Sequence, residues 1–295
     1  MRSNGFVILK SKRCTIYFLF LGMSLFGCSK DTFPKYIALS GLRVIALQTS
    51  TPEISPGTAV TITPYISDIN NSGPWTYSAE GCFDPGITYG ANPSCTDSAT
   101  RTVLASSASV TAGQLTAANV YTGSVDSLTL SAALTAAILT GRSGVDSYNG
   151  VNYLVVYTIS NSAGESVKSF RRIVVTESTK STKNSNPSAT DILANGATLG
   201  ALSASGEYTL SASYSAASPE SYTYKDSNGN LVSATESLST TWFITDGEMK
   251  YYRTSSGDTN TCKTPSSYPS GRKSAVIAVT RDTRGGIQIV QRMIN

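Results

Sequence analysis

Asp246 and Glu248 stand two residues apart, so on a strand they share one face. Glycoside hydrolysis needs two acids facing each other at roughly 5–9 Å across a cleft. Neighbours on one face seldom make that arrangement, and Asp246-Gly247 also reads as a turn. Asp226-Ser227-Asn228-Gly229-Asn230 opens like a calcium loop. Such a loop needs a bidentate Glu at its twelfth position, which here is Ser237, and Glu236 falls one residue short. The rival reading is a plain Asn-Gly hairpin turn. The chain has no histidine, which excludes Ser-His-Asp and Cys-His catalysis and imidazole-ligated metals. The sequence therefore predicts no catalytic residue, no metal and no cofactor, and a protein that is not an enzyme. Tyr222, Tyr224, Tyr251 and Tyr252 remain as a possible binding surface. They would form a flat platform for sugar rings, or pair across strands on a half-exposed sheet face.

The cysteines carry covalent chemistry. Cys82 and Cys95 flank a loop rich in Pro and Gly, and a bridge closing it contributes about 3 kcal/mol in the chain-entropy model. Metal binding is the alternative, but two thiols lack the further ligands that zinc requires. Cys262 is left over and reads as an inert, partly buried thiol.

The N-terminus reads as an address. Arg2, Lys10, Lys12 and Arg13 precede an apolar run from Ile16 to Phe26, which is too short to span a bilayer and has the length of a secretory signal. Leu25-Phe26-Gly27-Cys28 resembles a bacterial lipobox, with Phe26 where Ala or Ser is usual. That resemblance implies an acylated Cys28 at the mature N-terminus and membrane attachment through lipid. Cys14 leaves with the signal. Ser29 after the cysteine favours the outer membrane, on its periplasmic face or at the cell surface. The oxidising envelope also permits the Cys82–Cys95 bridge. Of the 23 basic residues, four lie in the first thirteen, so the mature chain balances 19 basic against 19 acidic residues. A chain without net charge has no electrostatic footprint for nucleic acid.

The elements that must position these residues are strands. Ser and Thr supply 81 residues, Tyr 16 and Trp 2, a composition that favours sheets. Val151–Ser160, an Asn-Ser-Ala-Gly turn and Val167–Val175 form one hairpin. Ser274–Thr280, an Asp282–Gly286 turn and Ile287–Ile294 form another. A shift of 121 residues aligns the two without a gap: Asn161 falls on Asp282, Gly164 on Gly285 and Arg171 on Arg292. Alternating apolar runs such as Val60, Ile62 and Ile66, or Tyr208, Leu210 and Ala212, indicate antiparallel sheets packed face to face. Trp75 and Trp242 are the predicted core tryptophans. Ser131–Ile138 has helical composition and reads as a short helix on the first sandwich, with a strand-and-loop insertion between 97 and 150 as the alternative. The polar run 177–187 contains no large apolar residue and reads as a linker between independently folding halves.

The organisation expected is a signal peptide (1–27), a tether (28–40), a first domain (41–176), a linker (177–187) and a second domain (188–295). Ser55-Pro56-Gly57, Glu80–Gly86, Thr241-Trp242-Phe243 and Thr280–Gly286 resemble the immunoglobulin-like and PKD-like modules of bacterial envelope lipoproteins. The resemblance implies an all-β fold of two tandem immunoglobulin-like antiparallel β-sandwiches, the first with a short helical insertion. It also implies a spacer, adhesive unit or binding platform. The leading expectation is a lipid-anchored scaffold or protein-binding module of the envelope; the alternative is a glycan- or peptidoglycan-binding module that uses the exposed tyrosines. The partners are thus the membrane and an envelope protein or glycan.

Overall fold

The computed structural model describes residues 39, 41–71, 73–87, 92–110 and 122–295. The expected signal segment and Cys28 lie outside the described residues. The first half contains β1 (Arg43–Thr49), β2 (Glu53–Ile54), β3 (Val60–Ser67), β4 (Trp75–Phe83), β5 (Thr102–Ser109), β6 (Thr122–Ser124), β7 (Leu128–Leu130), α1 (Ala132–Thr135), α2 (Gly144–Asn149), β8 (Val151–Asn161) and β9 (Ser166–Val175). The second contains β10 (Ala189–Ala194), β11 (Ala197–Thr198), β12 (Glu207–Tyr214), β13 (Ser221–Lys225), β14 (Leu231–Thr235), β15 (Ser239–Ile244), β16 (Glu248–Met249), β17 (Arg253–Ser255), β18 (Asn260–Lys263), β19 (Ala275–Arg281) and β20 (Ile287–Met293).

In the first half, β1-β3-β6, with β7 also on β3, faces β2-β9-β8-β4-β5. Between them Leu47, Val60, Ile62 and Ile66 meet Trp75, Tyr153, Val155, Tyr157 and Ile159. In the second half, β11-β10-β12-β18-β16 faces β17-β15-β19-β20, with Ile192, Leu210 and Met249 against Trp242, Val276 and Ala278. Each half is an immunoglobulin-like sandwich, with its tryptophan fully buried on the inner strand β4 or β15. The short helix forms as α1; Leu134 packs against the first core and Ile138, in the turn that follows, is buried in it. The hairpin β13–β14 is an insertion in the second sandwich that pairs only with itself.

The two hairpins 121 residues apart match atom for atom. Asn161 Oδ1 accepts from the N–H groups of Ala163 (3.1 Å) and Glu165 (2.9 Å). Asp282 Oδ1 accepts from Arg284 (2.8 Å) and Gly286 (2.7 Å). An Asx side chain bonding its own turn is the local reason both chains reverse here. Arg171 and Arg292 hold the same register, opposite Val155 and Val276. Their surroundings differ: Arg171 is buried and donates to Thr49 Oγ1 and to the carbonyl of Gly285, whereas Arg292 pairs with Asp191 at 2.7 Å nearer the surface.

The run 177–187 carries many contacts, where few were expected from its polarity. Lys180 and Asn184 are buried. Asn186 Nδ2 donates to the carbonyl of Thr49 (2.6 Å), and its Oδ1 accepts from Ile287 N (3.0 Å). Polar composition argued against core packing, yet side chains that match buried charges pack without apolar surface. The sandwiches also share an apolar cluster: Ile45 and Ala46 of the first, with Leu39 from the segment before β1, against Phe243, Ile277, Val279, Ile287 and Ile289 of the second. A register shift between Val44 and Ala46 turns that part of β1 outward.

Candidate functional site

The sequence singles out four tyrosines, and the structure distributes them over two places. Tyr222 and Tyr224 lie two apart on β13, with ring centroids 6.3 Å apart. Their partners across the ladder are Ala234 and Val232, so no tyrosine faces them from β14. The hairpin docks on α2 of the first sandwich. Tyr148 Oη and Thr223 Oγ1 are 2.7 Å apart, and Asn149 exchanges two 2.8 Å hydrogen bonds with the backbone of Lys225. Tyr222 lies under the Arg284 guanidinium, 4.5 Å from its carbon to the ring centre. Tyr222 is thus part of the junction, while Tyr224 is 38% exposed.

Tyr251 and Tyr252 occupy the corner between β16 and β17. They are 49% and 57% exposed, the large aromatic side chains most open to solvent among the described residues. Their backbone is held rigidly. Buried Asn260 accepts from Tyr251 N (3.0 Å) and donates to Tyr251 O (2.8 Å), and Trp242 N donates to Tyr252 O (3.0 Å). Two cations approach the rings: Lys250 Nζ lies 5.1 Å from the centre of Tyr251 and Arg253 Cζ 6.0 Å from that of Tyr252. An open groove of about 550 Å³ runs beside them, with Ser255, Asp258 and Thr259 in its wall; neither Tyr222 nor Tyr224 lines it.

Of the candidate carboxylates, Asp246 and Asp226 are committed to structure, while Glu248 is exposed on β16. Asp246 takes a bidentate pair from Arg272, both bonds 2.6 Å, and accepts from Ser274 Oγ at 2.6 Å. Burial raises the Asp246 carboxyl, but Arg272 and Ser274 outweigh it and hold it below the ordinary range. Asp226 closes the β13–β14 turn, its Oδ1 accepting from Asn228 N (2.9 Å) and Asn230 N (2.8 Å). Cys82 and Cys95 are joined by a disulfide, with Cα atoms 5.7 Å apart. Cys262 is a free thiol with no exposure, more deeply buried than its neighbours suggested, and burial pushes it up to about 11.

A cluster of buried charges at the junction has no counterpart in the sequence motifs. Glu53 Oε1 meets Lys180 Nζ at 2.8 Å; its Oε2 meets Arg284 Nη2 at 2.7 Å and accepts from Asn184 N at 2.9 Å. Arg284 also reaches Glu236 at 3.2 Å. Burial alone would raise the Glu53 carboxyl, but the hydrogen bonds from Lys180, Asn184 and Thr176 and the Lys180 charge leave it below its usual value. Burial dominates at Glu236, which is raised. Residues 53, 180 and 284 are too far apart for any local pattern to link them; only the aligned turns hinted that Arg284 sits at a special place.

No protein-family profile matches the chain, and no curated protein matches it in sequence. Among solved structures it is similar to murine CEACAM1b (7% identity, covering 85% of this chain and 98% of that one, TM-score 0.23). It is similar to the D0-D1 domain of intimin (12%, 85% and 98%, TM-score 0.22). A third is the pair of tandem V-type regions of VCBP3, a v-region-containing chitin-binding protein (11%, 86% and 100%, TM-score 0.28). Likenesses this distant carry no argument; the class, tandem immunoglobulin-like sandwiches, rests on the strand order itself.

Proposed function

We propose that the protein is a lipid-anchored, non-enzymatic component of the bacterial envelope that acts as a scaffold or protein-binding module. The observation that supports this reading is the junction. Ionic and apolar contacts weld the two sandwiches, so surfaces distant in sequence are presented in one fixed arrangement. Rigid presentation lowers the entropic cost of binding. Asp246 and Asp226 are taken up by Arg272 and by a turn, which fits a binding rather than a catalytic role. The anchor rests on Leu25-Phe26-Gly27-Cys28 and the basic-apolar leader. Cys28→Ala should shift the protein from membrane to soluble fractions; full retention on membranes would refute the anchor. A pull-down with the delipidated chain should recover a saturable envelope protein partner, and a chain that recovers none would refute the scaffold reading.

A second reading, a glycan-binding module, is favoured by one specific feature: the exposed, backbone-clamped rings of Tyr251 and Tyr252 beside an open groove. Aromatic faces stack on the apolar faces of sugar rings, and hydroxyl-bearing walls supply hydrogen bonds. Binding of the delipidated chain to purified cell wall tests it directly.

A further inference from the structure

We propose that the Tyr251–Tyr252 groove binds an anionic saccharide, one that carries a carboxylate or a phosphate; this rests on the glycan-binding reading. The aromatic floor is suited to a sugar ring and is presented by a rigid backbone. The reciprocal Asn260 bonds to Tyr251 and the Trp242 bond to Tyr252 all involve main-chain atoms of the tyrosines. Ordering the loop therefore does not wait for the ligand, and substituting either ring leaves the clamp in place.

The charge selects the sugar. Lys250 and Arg253 flank the rings, and among the described residues neither has an ion-pair partner; each meets a tyrosine face instead. Several other cations of the chain are ion-paired, among them Arg272 with Asp246, Arg172 with Asp84 and Lys263 with Glu207. The acid in the groove, Asp258, is partly occupied, its Oδ2 accepting from Ser255 N at 3.2 Å. Arg253 is the cation that lines the groove, opposite Asp258, while Lys250 stands at the edge of Tyr251 beside a neighbouring hollow that Glu248 and Glu207 also line. Arginine offers a planar fork that matches carboxylate and phosphate oxygens. A neutral sugar would use the rings and leave the Arg253 fork idle.

The test uses the chain lacking residues 1–28, with three probes of similar size measured by titration calorimetry: an oligogalacturonate, a neutral malto-oligosaccharide and a hexose phosphate. The charged sugars should bind at least tenfold more tightly than the neutral one, and the stronger of the two identifies the anion. Tyr251→Ala and Tyr252→Ala should each weaken binding at least tenfold without changing thermal unfolding. Arg253→Gln should remove most of the preference for charge while keeping the affinity for the neutral sugar. Tyr224→Ala, on the other aromatic pair, should bind as the parent does. If the neutral sugar binds equally well and Arg253→Gln has no effect, the anionic assignment falls while glycan binding stands. If none of the probes binds and purified cell wall also fails to bind, the glycan reading itself is overturned. If Tyr224→Ala abolishes binding and the Tyr251 and Tyr252 variants do not, the site has been misplaced.

Discussion

Strands β8 and β19 occupy the same place in their sandwiches, 121 residues apart, and both are apolar on two faces. On β8, Tyr153, Val155, Tyr157 and Ile159 point into the first core while Leu154 and Val156 point out of it. On β19, Val276 and Ala278 point in while Ile277 and Val279 point out. The outward faces are covered differently. The first sandwich covers Leu154 and Val156 with its own loop, which carries Ile87 and Cys95 and is stapled to Cys82. The second has no such loop and covers Ile277 and Val279 with β1 of its neighbour, through Ile45 and Ala46. A disulfide-held flap and a domain interface thus solve one problem, a strand whose second face cannot be left in water. The second sandwich thus meets its neighbour at the position where the first carries a covalent bond.

Breaking the interface should have the largest effect. Glu53→Ala removes the carboxylate between Lys180 and Arg284 and leaves two buried cations unpaired, so it should cost about 3–5 kcal/mol, read as a lower urea midpoint. Because the folded Glu53 titrates below its unfolded counterpart, its contribution is intact above the ordinary glutamate value. It should fade as pH falls through the lower, folded value. The parent should therefore lose stability over that acid range more steeply than Glu53→Gln. The same junction shields Lys180 from trypsin; the parent should resist cutting at 177–187 and the Glu53→Ala variant should be cut there early. Rapid cleavage of the parent would show that the halves behave as separate domains.

Opening the flap should come next. Replacing Cys82 and Cys95 together with Ser should cost about 3 kcal/mol, as expected for a loop of this length. The loss should appear on reduction of the parent too, and leave the second sandwich's β19 amides protected from hydrogen exchange. Equal loss of protection in both sandwiches would mean the covers are not separable.

The smallest effect compares the tryptophans. Trp75 Nε1 donates to Asp68 at 2.7 Å, and Trp242 Nε1 to Thr254 Oγ1 at 2.9 Å. Thr254→Val strands one buried donor and should cost about 1–3 kcal/mol. Asp68→Ala strands the Trp75 donor and takes one of two acceptors from Asn161 Nδ2, which bonds Asp68 at 3.0 Å and Glu165 at 2.8 Å, and should cost more. Equal losses in thermal unfolding would show that the Asn161 bond contributes nothing.

Much of this was legible in the chain. The hairpin turns were, because Asn161 and Asp282 bond amides within four residues of themselves, and local chemistry is written locally. The disulfide was, because Pro and Gly keep its loop short. The tryptophan cores followed from alternating apolar runs. The four tyrosines were legible only as residue types: their sequence neighbours gave no hint that Arg284 would lie over Tyr222 while Tyr251 and Tyr252 stayed open. The apolar stretches of β8 and β19 read as hairpin strands, and neither the burial of their second faces nor what covers them was legible.

By itself the sequence determined strands, turns, the two-fold repeat and the absence of histidine chemistry, since each depends on side-chain period or on partners a few residues away. Only the tertiary structure decided that the polar run 177–187 is packed, that Glu53 joins Lys180 and Arg284, and that the tyrosines separate into a docked pair and an open pair. Those outcomes depend on contacts between residues that the sequence keeps far apart, from Tyr148 with Thr223, 75 apart, to Glu53 with Arg284, 231 apart. A buried charge is tolerable only where its partners arrive from elsewhere in the fold, and no local pattern encodes that arrival.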